Sequence, residues 1–455
     1  MVYNVIKISK VSPATDLVDP LILPLSFFDL VWLKDIPTNR VSFYKLTESS
    51  RDTFYSVILP KLEHSLSLVL AHFFPFSGHL KWNQEDPNPH ITVSPQDAVS
   101  LTVAETDADF SHLSGKGLRY QTKLRPLVPE LPVSSDTPKI LTLQITLFPN
   151  QGFCIRTTIH HAAVDGKTVV KFLKSWAHIC KYRTMPQDLV LPMLLDRTVI
   201  NLPSELVTNK ADVRTLKLPP VKEIEKDVVR FVFELTQENV KKLRERAKSE
   251  SARSDLQLST FVVTYAYVLT RIVKARGVNA DQPVPFMFVA DFRDRIDPLI
   301  PVSYFGNCVL PINFLGYKAK KFLGEDGFVN GVEIVSDAVR DLSSRGAESI
   351  WELYEEGLKK MEPGGTQKLS VAGSNKFGIY GSDFGWGRPV HTENISNSGN
   401  LLYSMSESRD ETGGVEIGMC LKKFEMDVNI TLEKPQLQST QPKTPAQNTE
   451  DPTTD

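Results

Sequence analysis

Two hydrophobic periodicities alternate along this chain. Residues 52–80 carry apolar side chains at helical spacing before a Pro-Phe-Ser-Gly turn, which predicts a helix that leads into a loop and a strand. The β-branched runs at 139–148 and 153–161 flank a Pro-Asn-Gln-Gly stretch, which predicts a hairpin. Residues 167–181 then return to a helical apolar stripe, so the local order is strand, turn, helix.

The same alternation resumes later and divides the chain. From residue 182 to 227 the periodicity fades and several prolines intervene, which predicts a linking crossover. Beyond it we expect a strand at 228–235, helices at 237–248 and 259–276, a strand at 284–293, and two amphipathic helices over roughly 329–360. Residues 435–455 have almost nothing apolar to bury, so they should be disordered. The predicted division is therefore 1–181, a linker at 182–227, 228–434, and a disordered tail at 435–455.

Composition narrows the possible partners and compartment. With 52 Lys and Arg against 54 Asp and Glu the net charge is -2, which argues against a dedicated nucleic-acid binder. The four cysteines lie far apart, so neither a disulfide framework nor a zinc knuckle is indicated. No apolar run approaches the length of a signal peptide core or a membrane span. We expect a cytosolic monomer with no membrane partner.

The sequence His-His-Ala-Ala-Val-Asp-Gly at 160–166 is the sharpest chemical feature. A histidine can take a proton from a hydroxyl and return it to a leaving group. Asp165 is equally consistent with a simple N-cap for the following helix. One of His160 and His161 would be a packed residue, since neighbours on a strand face opposite ways. His161 and Asp165 could also ligate a metal, but no third ligand follows at a recognisable spacing.

A glycine-rich stretch, Tyr-Gly-Ser-Asp-Phe-Gly-Trp-Gly at 380–387, is the second feature. Three glycines in eight residues indicate unusual backbone conformations or close approach. Nothing in the spacing makes Asp383 a catalyst, and a carboxylate bonded to backbone amides is the more natural role. The stretch predicts a rigid loop.

Together these motifs resemble the paired signature of the plant BAHD acyl-CoA-dependent acyltransferases, HxxxD followed by DFGWG. Here the pair is His161 to Asp165 and Asp383 to Gly387, about 220 residues apart. The blocks LPLSFFDLVWL, FFPFSGHL, LSTFVVTYAYV and YFGNC also resemble family blocks. YFGNC with SESRDETGGVEIGMCLKKFEMD resembles the branch that acylates sugar hydroxyls of anthocyanins and phenolic glucosides, and within it HHAAVDGKT and SVAGSNKFGIYGSDFGWG are most similar to the malonyltransferases. The chain departs from the family in turning polar early after its last strand.

The resemblance implies a two-domain chloramphenicol-acetyltransferase-like α/β fold, with a crossover and a solvent channel between the domains. It implies direct transfer from malonyl-CoA, as co-substrate rather than bound cofactor, to a glycosylated phenolic acceptor, with no metal. The residues grouped as catalytic are His161, Asp165 and Asp383. We expect Arg293 to pair with Asp165, because a paired buried carboxylate costs far less than a lone one. The other supporting residues are Gly166, Gly385, Trp386 and Gly387.

The donor site is less defined, because no phosphate-binding glycine loop is present. Ser259 and Thr260 open a predicted helix whose amides could meet an anion, although Ser259 could equally be only an N-cap. Arg271 and Arg295 complete the predicted acyl-CoA contacts. A malonyl carboxylate would need a cation, and the candidates are Arg40, Lys45, Arg293 and Arg295. Transfer of an aromatic group such as coumaroyl, or a non-catalytic acyl-CoA-binding relative, are the alternatives.

Overall fold

A computed structural model describes residues 2–15, 19–47, 50–83, 85–86, 88–127, 131, 137–186, 193–200, 216–217, 225–344, 349, 352, 369–395, 402–410 and 412–436. The strands are β1 Tyr3–Val11, β2 Leu21–Pro24, β3 Thr38–Lys45, β4 His79–Lys81, β5 His90–Val93, β6 Val99–Thr106, β7 Arg119–Tyr120, β8 Leu141–Phe148, β9 Gly152–Ile159, β10 Val228–Leu235, β11 Phe286–Asp291, β12 Val309–Phe314, β13 Leu369–Ala372, β14 His391–Asn394, β15 Leu402–Glu407 and β16 Val415–Lys422.

The α-helices are α1 Phe27–Val31, α2 Arg51–Thr53, α3 Leu59–Leu70, α4 Phe110–Ser114, α5 Gln121–Leu124, α6 Gly166–Tyr182, α7 Gln237–Glu250, α8 Thr260–Arg276, α9 Lys320–Leu323, α10 Gly327–Ser344 and α11 Lys423–Gln436. A π-helical turn, Phe54–Ile58, joins α2 to α3. Short 3-10 turns lie at Phe74–Ser77, Arg125–Leu127, Arg197–Val199 and Ile379–Gly381.

Two mixed sheets organise these elements. The first has the order β1-β6-β8-β9-β3-β14, and the second the order β12-β11-β13-β15-β16-β10-β7. A small third sheet has the order β2-β5-β4. The β6–β8, β11–β13 and β13–β15 pairs are parallel and the other pairs are antiparallel. The expected two-domain α/β fold is therefore present.

The hairpin and helix that flank the histidine motif form as predicted. Strands β8 and β9 pair antiparallel, and their turn contains Asn150 at a φ of 61°, a left-handed conformation that Asn tolerates. Helix α6 follows and buries one stripe, including Val169, Leu173 and Trp176. Strand, turn and helix together fix the position of residues 160–165.

Each half of the chain contributes to the other half's sheet. Strand β14, from the later half, pairs with β3 at the edge of the first sheet. Strand β7, from the earlier half, pairs with β10 at the edge of the second sheet. The division predicted from the sequence, with boundaries at 181 and 228, did not include this exchange of strands. The reason is that β7 and β14 are too short to be recognised in the hydrophobic pattern.

The two main cores also exchange side chains. Phe27 and Phe28 of α1 are buried in the core formed mainly by the later half. Phe305, which precedes β12, is buried in the core of the earlier half and packs edge-on against Phe76 at 5.2 Å. The segments that flank α1 and β12 are thus anchored across the domain boundary.

Several predicted regions lie wholly or largely outside the described residues. These are much of the 182–227 linker, the second of the two helices expected before residue 360, and residues 437–455 of the tail. The chain after the last strand forms α11, which packs on α8 and extends to Gln436. In the described part of the chain, no helix is long and apolar enough to cross a bilayer.

Candidate active site

His161 lies in the turn between the end of β9 and the start of α6. Its neighbour His160 is fully buried, and its Nδ1 accepts a hydrogen bond from the Ala162 amide at 3.3 Å. Burial, with a smaller contribution from His161 and Lys34, lowers the pKa of His160 to about 4. His160 is therefore a neutral packed residue near pH 7, and His161 is the half-buried member of the pair.

Asp165 combines the two roles that the sequence left open. Its Oδ1 accepts a hydrogen bond from the Thr168 amide at 3.1 Å and caps α6. Its Oδ2 lies 2.7 Å from Nη1 of Arg293, and both side chains are buried. Burial would raise the pKa of Asp165, but the charge of Arg293 and the hydrogen bonds hold that pKa below its ordinary range. Asp165 is thus ionised at neutral pH.

The partner arginine comes from the other half of the chain. Arg293 follows β11, and its position is fixed by hydrogen bonds to Asp291 and to the carbonyl of Gly306. Burial would lower the pKa of Arg293, but the charge of Asp165 raises it above its ordinary value. The Cys308 amide adds a hydrogen bond to Oδ2 of Asp165 at 3.1 Å. The histidine turn is therefore attached to the second domain through its aspartate.

The imidazole of His161 is held by contacts that the motif did not predict. It stacks on the indole of Trp32, with 4.3 Å between ring centroids and 13° between planes. Its Nδ1 is enclosed and forms no hydrogen bond within the described part of the chain. The carbonyl of His161 accepts a hydrogen bond from Nδ2 of Asn307 at 3.0 Å. Asn307 in turn donates twice to Asp29 of α1, at 2.9 Å each.

The glycine-rich loop sits at the far end of α6. Oδ1 of Asp383 accepts hydrogen bonds from the amides of Gly385 and Gly387, at 2.8 and 3.0 Å. Its Oδ2 lies 2.7 Å from Nζ of Lys181. Lys181 is sixteen helical residues from Asp165, about 24 Å at the α-helical rise. Asp383 is therefore a bracing residue, which corrects its grouping with His161 and Asp165.

The remaining motif residues support packing around α6. Gly385 and Gly387 have φ values of 106° and 98°, a region that side chains other than glycine rarely adopt. Trp386 lies under Nζ of Lys61 at 5.1 Å and contacts Phe153 edge-on. A Cβ on Gly166 would come within 3.0 Å of the Phe377 ring, so this glycine permits close approach at the start of α6.

The predicted acyl-CoA contacts divide into two kinds. Ser259 caps α8 by accepting a hydrogen bond from the Val262 amide at 3.2 Å, and Thr260 is the first residue of that helix. Arg271 is buried, and its donors are used by Tyr267 and Asn429. The assignment of Arg271 to the ligand is therefore wrong, because its guanidinium is committed inside the core.

Four cations were possible partners for a donor carboxylate. Arg293 is committed to Asp165. Lys45 is the last residue of β3 and pairs with Gly152, whereas Thr38, the first residue of β3, pairs with Ile159 beside the histidine turn. Lys45 therefore lies about 23 Å along the strand from the end that carries the histidines. Arg295 is half-buried and donates to the carbonyl of Asp291.

Arg40 is the fourth of these cations, and it lies nearer the histidine end. It pairs in register with Thr157, and its Nη1 donates to Oγ1 of Thr392 at 3.4 Å. Glu407 is near enough to act on its charge, but among the described residues no carboxylate lies within 4.0 Å of the guanidinium. Burial lowers the pKa of Arg40 to about 10. With Ser42, Thr157 and Ser382 it lines a cavity of about 10 Å³, which is the space of a single water molecule.

In the part of the chain that the structure describes, no group of three or more His, Cys, Asp or Glu side chains is placed to hold a metal ion. The four cysteines are buried and free. Sequence reasoning placed Asp29, Trp32 and Asn307 only inside blocks that resemble a family. No local spacing connects α1 to residues 307–309, so their convergence on His161 needed the fold.

A model described as the Transferase family matches residues 3–431. A BAHD acyltransferase of Arabidopsis thaliana is 63% identical over 443 residues, covering 95% of this chain and 98% of that protein. The agmatine coumaroyltransferase of the same plant is 58% identical over 448 residues, with coverages of 95% and 98%. Its phenolic glucoside malonyltransferase 2 is 48% identical over 416 residues, with coverages of 89% and 92%.

Solved structures share the fold at low sequence identity. Vinorine synthase superposes with a TM-score of 0.70 at 20% identity, covering 94% of this chain and 96% of that chain. TRI101 of F. sporotrichioides, complexed with coenzyme A and T-2, has a TM-score of 0.67 at 16% identity and covers 91% and 98%. These likenesses support the architecture of the whole described chain.

Proposed function

The chain belongs to the BAHD acyltransferases, the transferase family whose model it matches, and from this premise we propose that it moves an acyl group from acyl-CoA to a hydroxyl group with His161 as proton carrier. The observation that carries this assignment is the position of His161. The turn that holds it is tied to the second domain through Asp165 and through Asn307. A base fixed at the junction of two domains can meet a donor from one and an acceptor from the other.

The proposed reaction needs no covalent intermediate on the protein. Because Nδ1 of His161 is enclosed, Nε2 takes the proton from the acceptor hydroxyl while its oxygen attacks the thioester carbonyl. The C–O bond forms, the C–S bond breaks, and the protonated His161 returns the proton to the departing CoA thiolate. Asp165 stabilises the turn and pairs with the charged side chain of Arg293. It does not contact the imidazole ring of His161.

Replacing His161 tests this mechanism. His161→Ala should lower kcat by about 10² to 10⁴-fold, the usual contribution of a general base, and keep the wild-type melting temperature. His64→Ala, on the exposed face of α3, is the matched control and should keep full activity. Substantial transfer by His161→Ala would mean that another group carries the proton. If the wild-type protein binds acyl-CoA but releases no CoA with any of the acceptors tested, a non-catalytic binding protein would be favoured instead.

For the donor we propose malonyl-CoA, with a sugar hydroxyl of a phenolic, flavonoid or anthocyanin glucoside as acceptor. The support is the phenolic glucoside malonyltransferase relative and Arg40, a buried cation without an acidic partner at ion-pair distance in the described chain. A malonyl carboxylate in a partly dry site requires such a cation. Ser259, Thr260 and Arg295 remain the proposed contacts of the CoA portion, and a cytosolic monomer remains the proposed form.

A second candidate is transfer of a coumaroyl group. It is favoured by the agmatine coumaroyltransferase relative, whose 58% identity exceeds the 48% of the malonyltransferase. A coumaroyl group needs an apolar slot and no cation. The acceptor would then be an amine, and the same proton transfer through His161 would apply.

One competition experiment separates the two donors. Malonyl-CoA, acetyl-CoA and coumaroyl-CoA at equal concentration are offered with a phenolic glucoside and, separately, with agmatine, and the product masses are read directly. Malonyl glucoside as the main product is expected, and Arg40→Met should then reduce malonyl transfer more than acetyl transfer. A coumaroyl amide as the main product would overturn the malonyl assignment and leave the acyltransferase assignment standing.

A further inference from the structure

In the chain as far as the structure describes it, no carboxylate forms a hydrogen bond with the ring of His161 to orient it. In serine-protease triads a carboxylate bonded to the imidazole fixes its tautomer and rotation. Here Oδ1 of Asp165 accepts from Thr168, and Oδ2 is held by Arg293 and the Cys308 amide. Nδ1 of His161 has no hydrogen-bond partner among the residues that the structure describes. The plane of the imidazole must therefore be set by packing.

Trp32 supplies the surface against which the ring packs. Its indole lies nearly parallel to the imidazole, at 4.3 Å between centroids, so the two rings are stacked face to face. Trp32 is only 5% exposed. Its Nε1 donates to the carbonyl of Val309 at 3.1 Å. The indole is thus fixed at both its face and its polar edge.

The element that carries Trp32 is itself anchored in the second domain. Helix α1 ends one residue before Trp32, and its Phe28 is fully buried and packs 6.0 Å from Phe292. Asp29, one turn before Trp32, binds Asn307, which donates to the carbonyl of His161. The same five-residue helix therefore positions the backbone and the ring of the histidine.

We propose that Trp32 is a positioning residue for His161 that fixes the imidazole plane so that Nε2 faces the acceptor hydroxyl. The inference rests on the proposed function, since it matters only if His161 carries the proton. A displacement of about 1 Å at a reacting group can cost about 100-fold in rate. The effect of Trp32 should therefore appear in kcat and not in substrate affinity.

Two substitutions of similar bulk isolate the aromatic face. Trp32→Leu and Trp32→Phe both lose the hydrogen bond to Val309, and only the phenylalanine retains a flat ring. Trp32→Leu should lower kcat about 10- to 100-fold, with KM for acyl-CoA and acceptor within about twofold of wild type. Trp32→Phe should restore kcat to within about fivefold of wild type. Single-turnover rates with both substrates bound report the same difference without product release.

The control is Leu33→Ala, which removes buried apolar volume at the next residue. Its kcat should equal that of the wild-type enzyme. If Trp32→Leu does not fold, Trp32→Met takes its place. The same kcat in Trp32→Leu, Trp32→Phe and the wild-type enzyme would overturn the proposal. An acceptor KM that rises at constant kcat would also overturn it, because Trp32 would then be a substrate contact. A fully active His161→Ala would instead overturn the proposed function.

Discussion

Asp165 shows how one short side chain can serve two partners. Its two oxygens separate the tasks, with Oδ1 on the helix cap and Oδ2 on Arg293. A cap requires only an acceptor, which Asn supplies as well as Asp. An ion pair requires the charge. Asp165→Asn therefore removes the pairing while it preserves the start of α6.

The cost of losing this charge should be large because both side chains are buried. Asp165→Asn and Arg293→Met should each lower the free energy of unfolding by about 3 to 5 kcal/mol, because each leaves the charged side chain of its partner buried and unpaired. Arg293→Met on top of Asp165→Asn should cost much less than it does alone. A double-mutant cycle in urea unfolding measures the coupling, expected at about 3 kcal/mol, the upper end of the usual range for residues in contact.

Asp109→Asn provides the matched control for this cycle. Asp109 caps α4 through the His112 amide, is exposed, and forms no ion pair with another described residue, so its replacement should change stability little. Additive effects of the Asp165 and Arg293 substitutions, within about 0.5 kcal/mol, would contradict the coupling.

At the level of elements, the long periodic segments could be predicted from the sequence. The β8–β9 hairpin and α6 follow directly from β-branched runs and a helical apolar stripe. Because His161 to Gly166 lie between them, the position of the motif could be predicted too. The Asp165–Arg293 pair was predicted from the cost of burying a lone carboxylate, and the structure contains it at 2.7 Å.

Short elements and their partners could not be predicted in this way. Strand β7 has two residues and α1 has five, too few for a period to show. Their places are decided by tertiary contacts, such as Phe28 in the second core. For the same reason the stacking of Trp32 on His161 was invisible, because the two are 129 residues apart. Arg271 was wrongly predicted to contact the ligand because its position near a helix start in the sequence does not reveal that its side chain is buried.

At the scale of the whole molecule, a buried charge cluster joins the exchanged strands. Glu393 of β14 lies 2.6 Å from Nη1 of Arg119 in β7 and 3.0 Å from Nε of Arg230 in β10. All three side chains are almost fully buried. His391 lies beside the carboxylate at 3.4 Å. One carboxylate in the first sheet thus compensates two cations at the edge of the second.

This cluster should make the docking of the two sheets sensitive to acid. Burial would raise the pKa of Glu393, but Arg119 and Arg230 hold that pKa well below its ordinary value. A depressed folded pKa stabilises the protein fully above the unfolded pKa, about 4.3 for Glu. That stabilisation declines as the pH falls below this value and disappears as the pH passes through the folded pKa.

Glu393→Gln removes the charge and keeps the shape, so it should lower the free energy of unfolding at pH 7 by about 3 to 5 kcal/mol. The difference from wild type should narrow as the pH falls through the acidic range, because wild-type Glu393 is then protonated as well. Urea unfolding at a series of pH values measures both effects. Glu63→Gln, which breaks a more exposed pair with Lys7, should cost far less. A Glu393→Gln protein as stable as wild type at pH 7 would show that the arginines are compensated without this carboxylate. It would also show that backbone pairing alone, with β3 for β14 and with β10 for β7, holds the exchanged strands in place.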